Sequence, residues 1–461
     1  MEQLIIQLSR YVITFLFVIY TFYCYRAFAG KSKSRQNQIF RAQRILTILI
    51  HLLCSAILLL TYQSVKVVMM YGVELAFYLI SIKLYETFYK GLSKLVLNNM
   101  LLCMMIGFII LGRLSYNLAF RQFLLAAAGM GICLFVPVII HKLGGFLEKL
   151  GWQYAIIGIL LLMLVFFIGV SKYGARNWIK IGGFEVQPSE FVKIIYVFFI
   201  AALLSKSKNF KHIVMVSAAA AVHVIILVVE KDLGGALIYF ITYLFVLFIA
   251  TTKIIYLALG IAGGVGASLI AYRLFAHVRV RVLAWQDPWS RIDKEGYQVT
   301  QSLFAIGTGS WFGMGLCKGL PTNVPVVESD FIFSAIAEEL GAVFAICLIL
   351  VYLSNYIMFV NIAMKMKNEF YKLTAFGLSV VFIFQVLLCI GGATKFIPST
   401  GVTLPLISYG GSSIVSTIIV FSIIQGMYVL NGKEESQLEK EENEDEQAAG
   451  GKRRKPAKKK K

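Results

Sequence analysis

Apolar stretches long enough to cross a bilayer recur from one end of this sequence to the other, and no other feature constrains its fold as tightly. A helix needs about 20 apolar residues to span the hydrocarbon core. Such runs fall at about 11–28, 45–62, 67–88, 95–112, 122–140, 153–171, 188–205, 213–229, 233–251, 254–275, 331–356, 373–393 and 408–430. Hydrophobic residues make up 59% of the 461 and charged residues only 15%, gathered into short intervals. A water-soluble core of this size would show amphipathic periodicity instead. The expectation is an all-α polytopic membrane protein of thirteen helices. Span 67–88 fits least well, because it contains Glu74, Lys83 and Glu86.

Charge in the connections sets the expected topology. Arg26, Lys31, Lys33, Arg35, Arg41 and Arg44 follow the first run with no acid among them. The positive-inside rule makes that loop cytoplasmic and puts the N-terminus outside. Alternate connections then carry Lys90 and Lys94, Lys142 and Lys149, Lys206, Lys208 and Lys211, Lys253, and Lys365, Lys367 and Lys372. All fall inside, so the long interval 277–330 is expected to be extracytoplasmic and the C-terminus cytoplasmic.

No cleavable signal peptide is expected, since the first run is followed by basic residues and not by a small-residue cleavage site. The seven cysteines are scattered and the five histidines lack ligand spacing, which argues against a disulfide framework and a metal site. After Asn431 an acidic block, Glu434 to Glu446, precedes KRRKPAKKKK at 452–461. Like-charge blocks are normally disordered, and the basic end could also lie against anionic lipid. That tail supplies much of the formal +20 charge, so the charge is no argument for nucleic acid.

Interval 277–330 ends in PTNVPVVESDFIF, with Asp330 set directly against an apolar run. A carboxylate at a membrane boundary is a functional candidate by default. The arginines Arg279, Arg281 and Arg291 precede the acids Glu328 and Asp330 along this interval, and GYQVTQSLFAIGTGSWFGMGL at 296–316 reads equally as an interfacial element or a packed loop. Further on, Glu338 lies roughly 12 Å along a helix axis and about 80° around it from Asp330. Four other connections open on the same side, of which RLSYNLAFRQ at 113–122 carries Arg113 and Arg121 but little else. SKYGARNWIKIGGFEVQPSEF at 171–191 presents Arg176, Trp178 and Lys180, with Trp178 readable as an interfacial anchor. EKDLGGA at 230–236 places Asp232 as a helix N-cap. KFIPSTGVTLPLISYGGSS at 395–413 reads as broken backbone, tolerated only inside protein or facing water.

Together these segments resemble the SEDS family (shape, elongation, division and sporulation; FtsW/RodA/SpoVE). The resemblance covers about residues 95–430 and rests on GARNWI at 174–179, QPSEFVK at 187–193, DLGGA at 232–236, DPWSRIDKEGYQVTQSLFAIGTGSWFGMGL at 287–316, SDFIFSAIAEELG at 329–341 and PSTGVTLPLISYGGSS at 398–413. It implies a ten-helix core at 95–430, an added N-terminal unit of about three helices at 1–94 and a charged tail at 431–461. It implies a bacterial cell-membrane enzyme that polymerises lipid II into glycan strands for division, elongation or sporulation, working beside a class B penicillin-binding protein. The essential acid of the family's DFIF motif falls on Asp330, and its arginine–tryptophan motif on Arg176 and Trp178. Three positions depart from the family pattern. Glu328 stands where histidine is usual, EKDLGG replaces QPDLGT, and Cys389 replaces an asparagine.

The implied chemistry suits these residue types. A sugar hydroxyl attacking an anomeric carbon needs a base, expected at Asp330. A departing pyrophosphate needs fixed cations, expected at Arg176, Arg279 and Arg281, then Lys180 and Lys395, and Trp178 and Glu338 complete the expected substrate-binding set. No cofactor motif is present, although a divalent cation could share that role. The alternative is a lipid II flippase, in which Glu338, Glu339 and Lys231 line a polar path.

Overall fold

The computed structural model describes residues 2–29, 32–172, 175–182 and 184–451, apart from a few of their side chains. Helices α1 (Glu2–Ala29), α2 (Lys33–Tyr62), α3 (Val65–Phe88), α4 (Lys94–Leu114), α5 (Tyr116–Cys133), α6 (Val136–Leu147) and α7 (Gly151–Ile168) come first. A small antiparallel sheet follows, built from β1 (Val170–Lys172), β2 (Ala175–Ile181) and β3 (Phe184–Val186). Then come α8 (Pro188–Lys206), α9 (Phe210–Val229), α10 (Leu233–Thr251), α11 (Ile254–Leu274), α12 (Ala276–Gln286), α13 (Tyr297–Gly309), α14 (Ile332–Lys365), α15 (Glu369–Ala393) and α16 (Gly411–Gly451). Among the described residues, thirteen helical stretches are long and apolar enough to cross a membrane, and each contains or overlaps one of the apolar runs.

The acids of α3 are accommodated by pairing. Glu74 Oε2 lies 2.7 Å from His51 Nε2 of α2, both side chains buried, and Glu86 Oε1 lies 2.6 Å from Arg44 Nη2. Ionisable groups within spans face protein and find partners for this reason. At the centre is α4, buried continuously from Leu95 to Leu111, whereas α11 has no buried residue and lies at the edge.

The interval after α13 runs back against α14 and breaks it. Gly341 adopts φ 90° and ψ 168° inside the helix. The backbone groups freed there are taken up by the incoming chain: Ala342 N–H donates to Ser310 O (2.8 Å), Val343 N–H to Trp311 O (3.1 Å), Met314 N–H to Glu338 O (2.9 Å) and Gly315 N–H to Glu339 O (2.9 Å). Such non-helical backbone needs internal partners where water is excluded. Contact is close enough that a Cβ on Gly309 would stand 2.0 Å from Ala337 O. Segment 296–316 is thus a helix followed by a packed hairpin. From the other side α1 closes it: Arg10 Nη1 donates to Gly313 O (2.7 Å), and Phe17 stacks on Phe344 at 4.1 Å.

The sheet was not anticipated from the sequence. Its signal is the alternation ARNWIKI before Gly182, which has φ +54°, and the pairs Ile179–Val186 and Lys180–Glu185 follow. Two glycines between alternating runs mark a hairpin. At the C-terminal end the helical backbone of α16 continues to Gly451, where charge composition predicts an unfolded tail; the basic segment 452–461 lies outside the described residues.

Candidate functional site

The polar segments converge on one cavity of about 1210 Å³. Its wall takes Asn177, Trp178 and Lys180 from β2, Gln187 from the residue before α8, Glu190 and Lys193 from α8, and Lys231 and Asp232 from the α9–α10 turn. Arg281 comes from α12, Glu328 to Asp330 from the turn before α14, and Thr400 to Thr403 from the broken loop. On the side of α5 the lining is apolar at Leu118, Phe120, Leu124 and Leu125, with Arg121 among them.

Asp330 is positioned by its backbone as much as by its side chain. It precedes the first turn of α14 and follows Val326, whose φ is +59°. Asp330 N–H donates to Val326 O (3.2 Å), Tyr409 N–H donates to Glu328 O (2.8 Å), and Ser408 Oγ donates to Ser329 O. The loop that carries Tyr409 is itself held by side chains. Gln122 Nε2 donates to Ser408 O (2.9 Å), and Tyr352 Oη donates to Pro405 O (2.6 Å). Within the expected broken backbone, 404–408 is therefore buried in protein and 400–403 faces the cavity.

Burial pushes the Asp330 carboxyl above its ordinary range; the Ser329 hydroxyl, donating to Oδ1 at 3.0 Å, and the charge of Arg281 pull the other way. Burial likewise pulls the Arg281 guanidinium down, opposed by Asp330 and Asp232. The two side chains flank Gly401: a Cβ there would lie 3.5 Å from Asp330 Oδ2 and 3.8 Å from Arg281 Nη2. A base and a fork-shaped cation consequently face one point of the cavity.

The other expected site residues divide between the cavity and the rest of the molecule. Trp178 and Lys180 line it. Arg176 lies on β2 between them and β1, but its side chain is outside the described residues. Arg279 does not line the cavity; it is exposed and donates to Arg273 O (3.1 Å). Lys395 also lies off the lining, with its carbonyl taken by Trp285 Nε1 at 3.1 Å. Glu338 is buried inside α14, where Oε1 accepts from Leu320 N–H (2.8 Å) and holds the hairpin. Glu339 pairs with Arg113 at 2.9 Å, and Arg113 Nη2 donates to Gly319 O (3.1 Å). These two acids brace the chain leading to Asp330, and neither is part of this cavity's lining.

Sequence reasoning missed two groups of the wall. Asp232 caps α10 through Gly235 N–H (2.9 Å), as expected, but also accepts from Asn177, Gln187 and Ser189. Lys193 bridges Glu190 Oε2 (2.6 Å) and Gln385 Oε1 (2.8 Å). Its signal was available: an acid and a lysine three apart in an apolar helix share a face.

Helices enclosing a polar cavity lined by charges of both signs, with Asp330 beside Arg281, define a polytopic membrane protein with a charged internal site. The family model described as "Cell cycle protein" (FTSW_RODA_SPOVE) matches residues 93–431, and the chain belongs to this family. It is 38% identical over 270 residues to "Peptidoglycan glycosyltransferase RodA" of Mycobacterium tuberculosis (strain ATCC 25618 / H37Rv), covering 55% of this chain and 58% of that protein. The match thus spans little more than half the length of that relative. To "Probable peptidoglycan glycosyltransferase FtsW" of Buchnera aphidicola subsp. Schizaphis graminum it is 37% identical over 290 residues, 60% of this chain and 82% of the relative. Among solved structures, a chain described under "Structural coordination of polymerization and crosslinking by a peptidoglycan synthase complex" superposes with a TM-score of 0.64 at 24% identity, covering 74% of this chain and 99% of that one. The Thermus thermophilus rod shape determining protein RodA gives 0.54 at 23% identity, covering 74% and 97%. Both likenesses are of fold.

Proposed function

We propose that this protein is an inverting peptidoglycan glycosyltransferase that polymerises lipid II at the outer face of a bacterial cytoplasmic membrane. The observation that carries the reading is the placement of Asp330 and Arg281 on either side of Gly401 in one cavity. Names of relatives in the same family support it. The catalytic unit is assigned to residues 95–430, with 1–94 as an extension and 431–461 as a tail. The basic connections support a topology with the N-terminus outside and the cavity on that side.

In this reading Asp330 removes the proton from the acceptor's 4-hydroxyl as its oxygen attacks the anomeric carbon. The new β-1,4 bond forms from the face opposite the α-linked diphosphate, whose C–O bond breaks with the electron pair leaving on oxygen. Arg281 stabilises the charge that gathers there, and Arg176 is the second arginine implied by the family motif. Trp178 and Lys180 line the wall along which the sugars lie. The apolar lining at Phe120 and Leu124 suits the lipid portion. A class B penicillin-binding protein is the expected partner, cross-linking the strands in division, elongation or sporulation.

Reconstitution with lipid II and that partner tests the assignment. Asp330→Asn should lose polymer by a factor of about 10²–10⁴, the usual contribution of a positioned base, while folding normally. Polymer equal to wild type would remove Asp330 from the chemistry.

A further inference from the structure

The turn between α9 and α10 places a lysine where a glycine fits more easily. Asp232 N–H donates to Leu227 O (2.9 Å) and Lys231 N–H to Val228 O (3.1 Å), the paired bonds of a Schellman helix end. The residue at its left-handed position is Lys231, with φ +65°. Glycine takes that conformation without a Cβ clash, and strained backbone that persists is often tied to function. Lys231 is exposed, and it lines the cavity.

The Lys231 ammonium is not held by its neighbours. Among the described residues Lys231 makes no ion pair. Glu230, next in the chain, is 2% exposed and neither carboxyl oxygen has a hydrogen-bond partner. Burial, then the charge of Asp232, pushes Glu230 up to about 8, so at neutral pH it is mostly protonated and cancels little. Asp232 is engaged by four neutral donors: Gly235 N–H (2.9 Å), Asn177 Nδ2 (3.2 Å), Gln187 Nε2 (3.2 Å) and Ser189 Oγ (3.3 Å). The wall also carries Arg121, Lys180, Lys193 and Arg281, and Arg281 makes no ion pair among the described residues. Burial and the charges of Arg281 and Lys231 together hold His277 below its ordinary range, so the two cations bear on one region. Two cations that face a shared cavity and are not held in ion pairs are free to contact an anionic ligand with two centres of charge.

We propose that Lys231 is a substrate-binding residue that contacts the second phosphate of a polyprenyl diphosphate donor. Arg281, beside Asp330, takes the sugar-side phosphate and Lys231 the lipid-side one. The inference rests on the glycosyltransferase reading of this cavity and assigns a specificity contact within it.

The test uses the full chain in nanodiscs, with farnesyl diphosphate and farnesyl monophosphate as probes. Lys231→Gly should weaken diphosphate binding about tenfold, the loss of one charge-assisted contact. Monophosphate binding should change less than twofold, and the melting temperature should stay level or rise because the strain is relieved. Lys231→Arg should restore diphosphate binding. Unchanged diphosphate affinity in Lys231→Gly overturns the proposal. So does equal weakening toward both probes, which would make Lys231 a general attractor of anions. Loss confined to the complete peptide-bearing substrate would give Lys231 to a substrate carboxylate and overturn it as well. These are binding readouts, so they are separate from polymerisation by Asp330→Asn, whose outcome decides the underlying reading.

Discussion

Asp330 sits just ahead of α14 in a turn held by the loop at 404–409, and its environment works on its proton from both sides. Burial raises its affinity for the proton while Arg281 lowers it. For a base that must be ionised, activity rises with pH through this titration, whose midpoint therefore lies above the ordinary carboxylate range. Arg281→Ala removes the lowering influence. The acid limb of kcat/KM should move to higher pH, and activity near neutrality should fall through both lost ionisation and lost phosphate contact. An acid limb that stays in place would separate Arg281 from Asp330. The same scale explains why Arg279 and Arg281 part company. Two residues apart on a helix they point about 200° from each other, so a single wall can take only one. The sequence held that exclusion, but it did not say which arginine turned inward.

At the scale of elements, the decisive feature is the break in α14 and the hairpin that fills it. Gly341 has φ +90°, and a Cβ on it would stand 2.3 Å from Gly313 N. Backbone strain and overpacking each cost about 1–3 kcal/mol. Gly341→Ala should lower stability by roughly 2–4 kcal/mol and expose the chain at 310–320 to protease, with polymerisation lost because Asp330 is reached through that hairpin. Gly72, where an added Cβ would meet nothing within 4 Å, serves as the control. Equal thermal shifts for Gly341→Ala and Gly72→Ala would show that the close approach is not rigid. The glycines of GTGSWFGMGL were visible in the sequence. Their reason was not, because it lies in the carbonyls of a helix some thirty residues further on.

At the scale of the molecule, the first three helices are joined to the remainder by buried polar side chains as well as by apolar contact. Asn99 Oδ1 accepts from Tyr20 Oη (2.9 Å) and Cys24 Sγ (3.3 Å), and its Nδ2 donates to Ser354 Oγ (2.9 Å) and Asn355 Oδ1 (3.2 Å). One residue of α4 thus ties α1 to α14. Interhelical hydrogen bonds in membranes contribute about 0.6–2 kcal/mol each, and directional ones fix register. Asn99→Leu should raise hydrogen exchange in α1 and α2 while leaving α15 protected. A uniform rise would mean that the extension and the core open as one unit.

The number and order of spans, the boundary acid and the family were legible in the sequence, because each follows from local composition or a contiguous motif. Hydrophobic length alone decides whether a helix can span, and a motif keeps its residues wherever the chain goes. What tertiary structure decided was company. It paired Glu74 with His51 and Glu86 with Arg44, gave Glu338 and Glu339 to bracing, left Lys395 off the cavity and brought Lys231 onto it. A charged side chain inside a membrane protein must find a partner or a polar space. Which of these it finds depends on helices distant in sequence, and only their packing brings them together.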